Sequence, residues 1–146
     1  ELSEKWLVLA GKVGTGMTHF GCAVLNWRRA HPEDKLADGK YICVPDMLDD
    51  LKDGFRDETY RLRMDRYRDV GLLLMDDLGS HSPTMWAQEK LFQLIDHRSR
   101  ERMETIITLN CAPSDLPDRI ADRLLDQGTG LCKIVVLDGP SYRSGR

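Results

Sequence analysis

Three absences restrict what this chain can be. No apolar run approaches the roughly 20 residues that a membrane-spanning helix needs, and no segment has the pattern of a secretory signal peptide. The four cysteines are far apart in the sequence and form no C-x-x-C pair, which favours reduced thiols. Basic residues are not in excess, since the formal net charge is −3, so contact with nucleic acid would require a local basic patch. We therefore expect a soluble, cytoplasmic protein without membrane contact.

The length and composition are those of one globular domain. The chain has 146 residues, of which 41% are hydrophobic and 31% charged, and this is enough apolar material for a sizeable core. We expect residues 1–146 to form a single domain. Because the first residue is Glu1 rather than methionine, we also expect upstream sequence to be missing.

Strand-like and helix-like segments alternate along the chain. The predicted strands cover residues 6–10, 40–44, 70–75, 105–109 and 131–137. The predicted helices cover residues 18–29, 45–55, 61–68 and 117–125, and one further helix follows Pro83. This alternation predicts an α/β layered fold with a parallel sheet, in which ligands bind at the carboxyl ends of the strands.

Helical spacing also predicts which side chains face the core. In the first helix, the apolar residues at helical spacing are Phe20, Ala23, Val24 and Trp27. In the helix after Pro83, the residues expected to face inward are Trp86, Leu91, Leu94 and Ile95. The residues of the same helix expected to face outward are Lys90, Arg98 and Arg100.

A glycine-rich segment, residues 11–18, lies between the first strand and the first helix. It meets the phosphate-binding pattern G-x-x-x-x-G-K-[ST] at Gly11, Gly16 and Thr18, but Met17 stands at the lysine position. Glycines let backbone N–H groups converge on an anion, and the positive end of the following helix faces the same point. The residues expected to bind phosphate are Gly11, Val13, Gly14, Thr15, Gly16, Met17 and Thr18.

Other polar residues at predicted strand ends suit hydrolysis of a nucleoside triphosphate. That reaction needs a phosphate cradle, a magnesium ion, an oriented water and positive charge near the γ-phosphate. Thr18 and Asp76 are expected to hold Mg2+, and Asp77 is the candidate base. Asn110 could polarise the same water, and the candidate γ-phosphate cations are Arg119, Arg123 and Arg143. Each feature alone also has a structural interpretation, but their order and spacing together favour a nucleotide site.

The motifs resemble those of DnaC-type bacterial helicase loaders, which belong to the AAA+ ATPases. The matching segments are Gly-Lys-Val-Gly-Thr-Gly-Met-Thr-His-Phe (11–20), Leu-Leu-Met-Asp-Asp-Leu-Gly (73–79), Thr-Leu-Asn (108–110), Arg-Ile-Ala-Asp-Arg-Leu (119–124) and Ser-Tyr-Arg (141–143). They cover nearly the whole chain in the loaders' order. The resemblance implies a three-layer P-loop fold with a five-stranded parallel sheet of order 5-1-4-3-2 and helices on both faces. It also implies that the loader's amino-terminal helicase-binding region is absent.

The same resemblance assigns roles to individual residues. Residues 11–18 correspond to Walker A, and Asp76 with Asp77 to Walker B. Asn110 takes the sensor-one position and Arg143 the sensor-two position. Arg123 takes the place of the arginine finger, which acts on the nucleotide of an adjacent subunit. The implied ligands and partners are ATP or ADP, Mg2+, a replicative DNA helicase, single-stranded DNA and further copies of the chain in an oligomer or filament.

The segment 58–69 is rich in charge and has two interpretations. Arg61, Arg63 and Arg66 lie among acidic residues, which is typical of a solvated helix. The resemblance to loaders instead places here a helical element that contacts single-stranded DNA, with Tyr60 and Tyr67 nearby for base stacking.

Met17 leaves the enzymatic activity open. Loss of one charged hydrogen bond weakens binding by roughly 1.5–3 kcal/mol, and loss of a preorganised donor slows a reaction about 10²–10³-fold. We therefore expect weak nucleotide binding and slow or absent hydrolysis. Three alternatives remain: a non-hydrolysing nucleotide-dependent interaction module, a transposition helper ATPase of the same AAA+ branch, and a P-loop enzyme of another kind such as a small-molecule kinase.

Overall fold

The computed structural model describes residues 5–31, 38–80, 84–126 and 130–143. Within them the strands are β1 (Trp6–Gly11), β2 (Gly39–Cys43), β3 (Leu72–Leu78), β4 (Glu104–Leu109) and β5 (Cys132–Leu137). The helices are α1 (Met17–Ala30), α2 (Val44–Arg56), α3 (Tyr60–Asp69), α4 (Met85–Arg100) and α5 (Asp118–Leu125). A single 3-10 turn, Pro113–Asp115, follows β4. None of the helices in these ranges is long and apolar enough to cross a membrane.

The five strands form one parallel sheet with the order β2-β3-β4-β1-β5. Read from the opposite edge, this is the predicted order 5-1-4-3-2. A shift of register between Met75 and Leu78 interrupts the pairing of β3 with β4 where the two aspartates lie. Because all strands are parallel, their carboxyl ends meet at one edge. There the glycine-rich segment and Asn110 follow β1 and β4, and Asp76 lies near the end of β3.

Two apolar clusters pack on opposite faces of the sheet, so the predicted three-layer α/β fold is confirmed. One face packs against α2, α3, α4 and α5, and its buried side chains include Val8 and Met75. The other face packs against α1, and its buried residues are Leu9, Met17, Leu25, Leu72, Leu74 and Ile106. Alternate residues of one strand serve the two faces, as the pleat requires.

Helix α1 forms where the spacing indicated, but other residues of it face the core. Phe20 and Trp27 are 48% and 58% exposed, whereas Met17, Gly21 and Leu25 are buried. A Cβ at Gly21 would lie 3.0 Å from a Leu74 methyl, so the helix approaches β3 more closely than a larger residue would permit.

Helix α4 confirms the inward positions Leu91, Leu94 and Ile95, but the expectation that Arg98 faces outward is wrong. Arg98 is fully buried. Its guanidinium donates to the carbonyl oxygens of Tyr67, Arg68, Val70 and Glu104 at distances between 2.6 and 3.1 Å. Those carbonyls belong to the last turn of α3, the connection to β3 and the start of β4. The last carbonyls of a helix have no partner within the helix, so Arg98 supplies donors at the end of α3. Pro83, predicted to precede this helix, lies outside the described residues.

Candidate functional site

The glycine-rich segment curls at the carboxyl end of β1, and two of its glycines have the left-handed backbone that favours glycine. Gly14 has φ +88° and Gly16 has φ +91°. Gly16 is the N-cap of α1 and offers no side-chain cap, and the first turn contains no acidic residue. The first N–H groups of this 14-residue helix are therefore available to an anion.

The last described residues, 141–143, contact this loop. The N–H of Tyr142 donates to the carbonyl of Gly14 at 3.0 Å. A Cβ at Gly14 would lie 2.1 Å from the Ser141 hydroxyl oxygen, so this approach requires glycine. The segment 141–143, which sequence reasoning placed among the motifs, is thus brought directly onto the loop.

Asp76 lies at the centre of a small group of hydroxyls. It is 3% exposed, and its Oδ1 accepts hydrogen bonds from Thr18 at 2.9 Å and from Thr108 at 2.6 Å. Its Oδ2 accepts from Tyr41 at 2.9 Å and, at 3.2 Å, from Thr18 again. The two predicted magnesium ligands, Thr18 and Asp76, are therefore in direct contact. Burial and the hydrogen bond to Asp76 raise the pKa of Tyr41, which keeps its hydroxyl a donor.

Asp77 turns away from this group into solvent. Its backbone has φ +60°, and its N–H donates to the Thr108 hydroxyl at 2.9 Å. Partial burial and the neighbouring Asp76 carboxylate raise the pKa of Asp77, while Arg143 acts in the opposite direction. When folding raises the pKa of an acid, the folded state binds more protons than the unfolded state at pH values between the two pKa values. The free energy of unfolding therefore falls as the pH rises through this range and Asp77 ionises. A cation bound beside Asp76 would restore that stability.

A cleft of about 850 Å³ opens beside the loop and the first turns of α1. It is lined by Gly14, Thr15, Gly16, Thr18, His19, Phe20, Cys22, Ala23, Leu137, Tyr142 and Arg143. This volume is within the usual range for small-molecule sites. The basic side chains among these lining residues are those of His19 and Arg143. Asn110 is exposed and lines a separate cavity of about 350 Å³ that shares Leu137 with the cleft.

Met17 does not supply a polar group to this cleft. Its side chain is 8% exposed and belongs to the apolar cluster beneath α1. Lys12, the other lysine of the segment, is exposed and lines the same cavity as Asn110. Its carbonyl accepts from the Thr15 hydroxyl at 2.8 Å, which closes the loop.

Arg119 and Arg123 project from α5 and are not among the residues that line the cleft. Arg123 is ion-paired with Asp96 of α4, which also pairs with Arg100 at 2.9 Å. Arg119 pairs with Glu89 at 3.2 Å and lies over the Phe92 ring at 3.7 Å. The structure thus does not bring Arg123 to the cleft of its own chain.

The three arginines predicted for DNA contact differ in their surroundings. Arg61 and Arg66 are exposed, whereas Arg63 forms ion pairs with Asp50 at 2.5 Å and Asp57 at 2.6 Å. Tyr67, one of the two aromatics noted for stacking, is buried and donates to Asp50.

A second cationic surface lies nearby, and sequence reasoning did not find it because its members come from three helices. Phe55 stacks on Tyr60 at 4.2 Å and meets Trp86 edge-on at 6.2 Å. The Lys90 ammonium lies 5.0 Å from the Tyr60 ring centre, and the Lys52 ammonium lies 5.7 Å from that of Trp86. We call these five residues the aromatic–lysine cluster.

The chain was compared with protein-family models and with known proteins. Residues 3–146 match the family described as IstB-like ATP binding protein. The replicative helicase loader DnaI of Bacillus subtilis is 26% identical over 156 residues, covering 95% of this chain and 48% of that protein. A Mycobacterium tuberculosis protein, named as an ATP-binding protein in an insertion sequence, is 30% identical over 144 residues, covering 94% of this chain and 55% of that protein. The chain thus spans about half the length of these curated relatives.

The fold was compared with solved structures in the same way. The replication initiator DnaA, bound to AMPPCP and single-stranded DNA, superposes with a TM-score of 0.80 at 20% identity, covering 95% of this chain and 42% of that chain. This likeness confirms the AAA+ fold, and the relatives confirm the resemblance to helicase loaders. By the match over residues 3–146, the chain belongs to the family of IstB-like ATP-binding proteins.

Proposed function

We propose that the cleft binds ATP or ADP together with Mg2+. The observation that carries the proposal is the contact between Thr18, at the first turn of α1, and the buried Asp76 carboxylate. It joins the phosphate-binding segment to an acidic strand end, which is the arrangement that metal–nucleotide binding requires. The family description as ATP-binding proteins supports it.

The donor set fits magnesium. Mg2+ prefers oxygen ligands, keeps several waters and is held by one or two carboxylates in addition to phosphate oxygens. Here Thr18 and Asp76 would hold the ion. When bound, the ion would neutralise charge on the phosphates.

We also propose that turnover is slow or absent. Asp77 would orient a water and Arg143 would contact the γ-phosphate, with Asn110 acting from the end of β4. Met17 leaves the loop without the cation that acts on the β- and γ-phosphates. The domain would then work as a nucleotide-dependent interaction module that binds ATP without hydrolysing it.

Isothermal titration calorimetry with ADP, in Mg2+ and in EDTA, tests nucleotide binding. We expect binding that Mg2+ strengthens, and a loss of about tenfold or more in Gly14→Ala, because a strained positive φ and a collision with Ser141 distort the loop. Gly139→Ala is the matched control, since a Cβ there meets open space. Failure of both the unaltered protein and Met17→Lys to bind would overturn the proposal.

Self-association would bring Arg123 to the nucleotide of a neighbouring copy. The proposal rests on the position of Arg123 on α5, where it pairs with Asp96 and does not line the cleft of its own chain. If Arg123→Ala left assembly-dependent ATP turnover unchanged in a Met17→Lys background, the finger assignment would be wrong.

Single-stranded DNA is the second proposed ligand, and the aromatic–lysine cluster is its best candidate contact. Exposed rings stack on bases and lysines attract the backbone, whatever the base sequence. Phe55 is 54% exposed. Arg61 and Arg66 remain candidates for phosphate contact, whereas Arg63 is already held by two aspartates.

The anisotropy of a labelled oligothymidine tests this surface. We expect Phe55→Ala to weaken binding about tenfold, because one stacked base contributes about 1–3 kcal/mol. Trp27→Ala is the control, since Trp27 is 58% exposed but lies on α1. If both variants lost the same affinity for the oligothymidine, or if Phe55→Ala lost none, the aromatic–lysine cluster would not be a DNA contact.

Two classes of protein partner are supported by the relatives, a replicative helicase and a transposase. Relatives named replicative helicase loaders favour a replicative helicase, and we propose this assignment first. The relative in an insertion sequence, at 30% identity, favours a transposition helper that associates with a transposase. Co-purification with a tagged helicase or a tagged transposase separates the two, and retention by the transposase alone would exclude the loader function.

A further inference from the structure

We propose that Tyr41 is a positioning residue for the metal-binding carboxylate of Asp76. The inference rests on the proposed magnesium site. No part of the sequence indicated it, because Tyr41 lies in β2, far along the chain from both the glycine-rich segment and the acidic strand end.

The carboxylate is held from three directions. Thr108 of β4 donates to Oδ1 at 2.6 Å, and Tyr41 of β2 donates to Oδ2 at 2.9 Å. These two strands lie on either side of β3, so the two hydroxyls donate to the carboxylate from opposite sides. Thr18 of α1 approaches from the face of the sheet and contacts both oxygens.

The reach from β2 requires a long side chain. Tyr41 pairs with Leu74 in the register, and Cys43 is the residue directly opposite Asp76. Tyr41 and Asp76 are therefore diagonal neighbours on one face of the sheet, at a distance that an aromatic side chain can span. A phenol places its hydroxyl on the carboxylate, and phenylalanine at the same position would fill the space without the donor.

Removal of that donor leaves the carboxylate plane poorly defined. Oδ2 would retain only the 3.2 Å contact from Thr18. The terminal torsion of aspartate has a broad energy profile, so hydrogen bonds rather than rotamer preference fix its plane. Outer partners that orient a metal ligand typically change metal affinity by about 10–100-fold when they are removed.

A role in folding alone predicts a different outcome. Tyr41 is 42% exposed and lies on an edge strand, so the loss of one hydroxyl should change thermal stability little. Tyr67→Phe is the matched control, because it removes a tyrosine hydroxyl from the Asp50 carboxylate at 2.7 Å, away from the metal site.

Titration of the ADP-bound protein with Mn2+, followed by electron paramagnetic resonance, tests the inference without any turnover. Mn2+ shares the preference of Mg2+ for oxygen ligands. We expect Tyr41→Phe to raise the Mn2+ dissociation constant about tenfold, with an unchanged melting temperature and with Tyr67→Phe equal to the unaltered protein. An unchanged or lower dissociation constant in Tyr41→Phe would overturn it. Absence of Mn2+ binding by the unaltered protein would overturn it too.

Nucleotide binding in EDTA separates this inference from the proposed function. Phosphate contacts of the glycine-rich segment do not require the metal, so ADP binding in EDTA should be equal in Tyr41→Phe and in the unaltered protein. A protein that binds ADP but shows no effect of Tyr41 on Mn2+ retains the proposed function and loses only the role of Tyr41. Failure to bind ADP under any condition instead counts against the nucleotide site itself.

Discussion

Replacement of Met17 by lysine is expected to tighten binding of ATP with Mg2+ about 10- to 150-fold and to accelerate hydrolysis about 10²–10³-fold. The loop, Thr18 and Arg143 already line the cleft, and Asp76 contacts Thr18, so the missing element is one charge at the start of α1. A lysine there would act on the phosphates as a point charge, with its largest effect in the transition state. Calorimetry measures the affinity, and phosphate release measures the rate.

The appropriate control is Met17→Leu, which keeps the apolar side chain and adds no charge. It should bind and hydrolyse ATP as the unaltered protein does. Equal turnover in Met17→Lys and Met17→Leu would show that the cation at this position does not limit the reaction. Substantial turnover by the unaltered protein would contradict the non-hydrolysing interpretation directly.

The same substitution should lower stability when no nucleotide is bound. Met17 is 8% exposed and packs in the cluster with Leu9 and Leu74, where an ammonium group would lose its hydration. The melting temperature of Met17→Lys should therefore fall in EDTA and recover on addition of ADP with Mg2+, by the usual linkage of binding to stability. A fall of the melting temperature in Met17→Lys would show that Met17 stabilises this part of the core.

Replacement of Arg98 by methionine is expected to lower the free energy of unfolding by about 3–5 kcal/mol. Methionine approximates the aliphatic length but leaves buried carbonyls of α3 and of the α3–β3 connection without a donor. Burial lowers the pKa of Arg98 to about 10, so the group is still charged at pH 7 and donates charge-assisted hydrogen bonds there. Urea unfolding at pH 7 measures the change.

Arg100→Met provides the comparison within the same helix. Its side chain is 66% exposed and pairs with Asp96, so its removal should change stability by about 0.5 kcal/mol or less. Similar losses in the two variants would mean that the Arg98 network contributes little beyond the packing of the side chain. Arg98→Lys should also be unstable, because one ammonium cannot reach carbonyls on two sides.

Features that depend on local sequence were predictable. The alternation of strands and helices, the glycine-rich turn and the acidic end of β3 are each encoded within about ten residues, because periodicity, turn formation and strand burial are local properties. The resemblance to loaders added the sheet order, which local patterns do not contain. The contact between Thr18 and Asp76 then follows from the meeting of parallel strand ends.

Features that depend on long-range packing were not predictable in the same way. Arg98 has the spacing of an exposed residue, but it is buried because its guanidinium donates to carbonyls at the end of α3 and just after it. Trp27 and Phe20 have the spacing of a core face, but Gly21 lets the opposite side of α1 lie on β3. Tyr41 reaches Asp76 because β2 and β3 are neighbours at that register, which the sequence alone does not specify.

The shared carboxylate of Asp96 has a consequence for reversibility. It pairs with Arg123 and Arg100 at once. If Arg123 were to leave Asp96 for an anion on another molecule, Arg100 would still pair with Asp96. An uncompensated charge would make that departure costly, and the second arginine removes most of the penalty. Release of Arg123 from Asp96 would therefore carry a small electrostatic penalty.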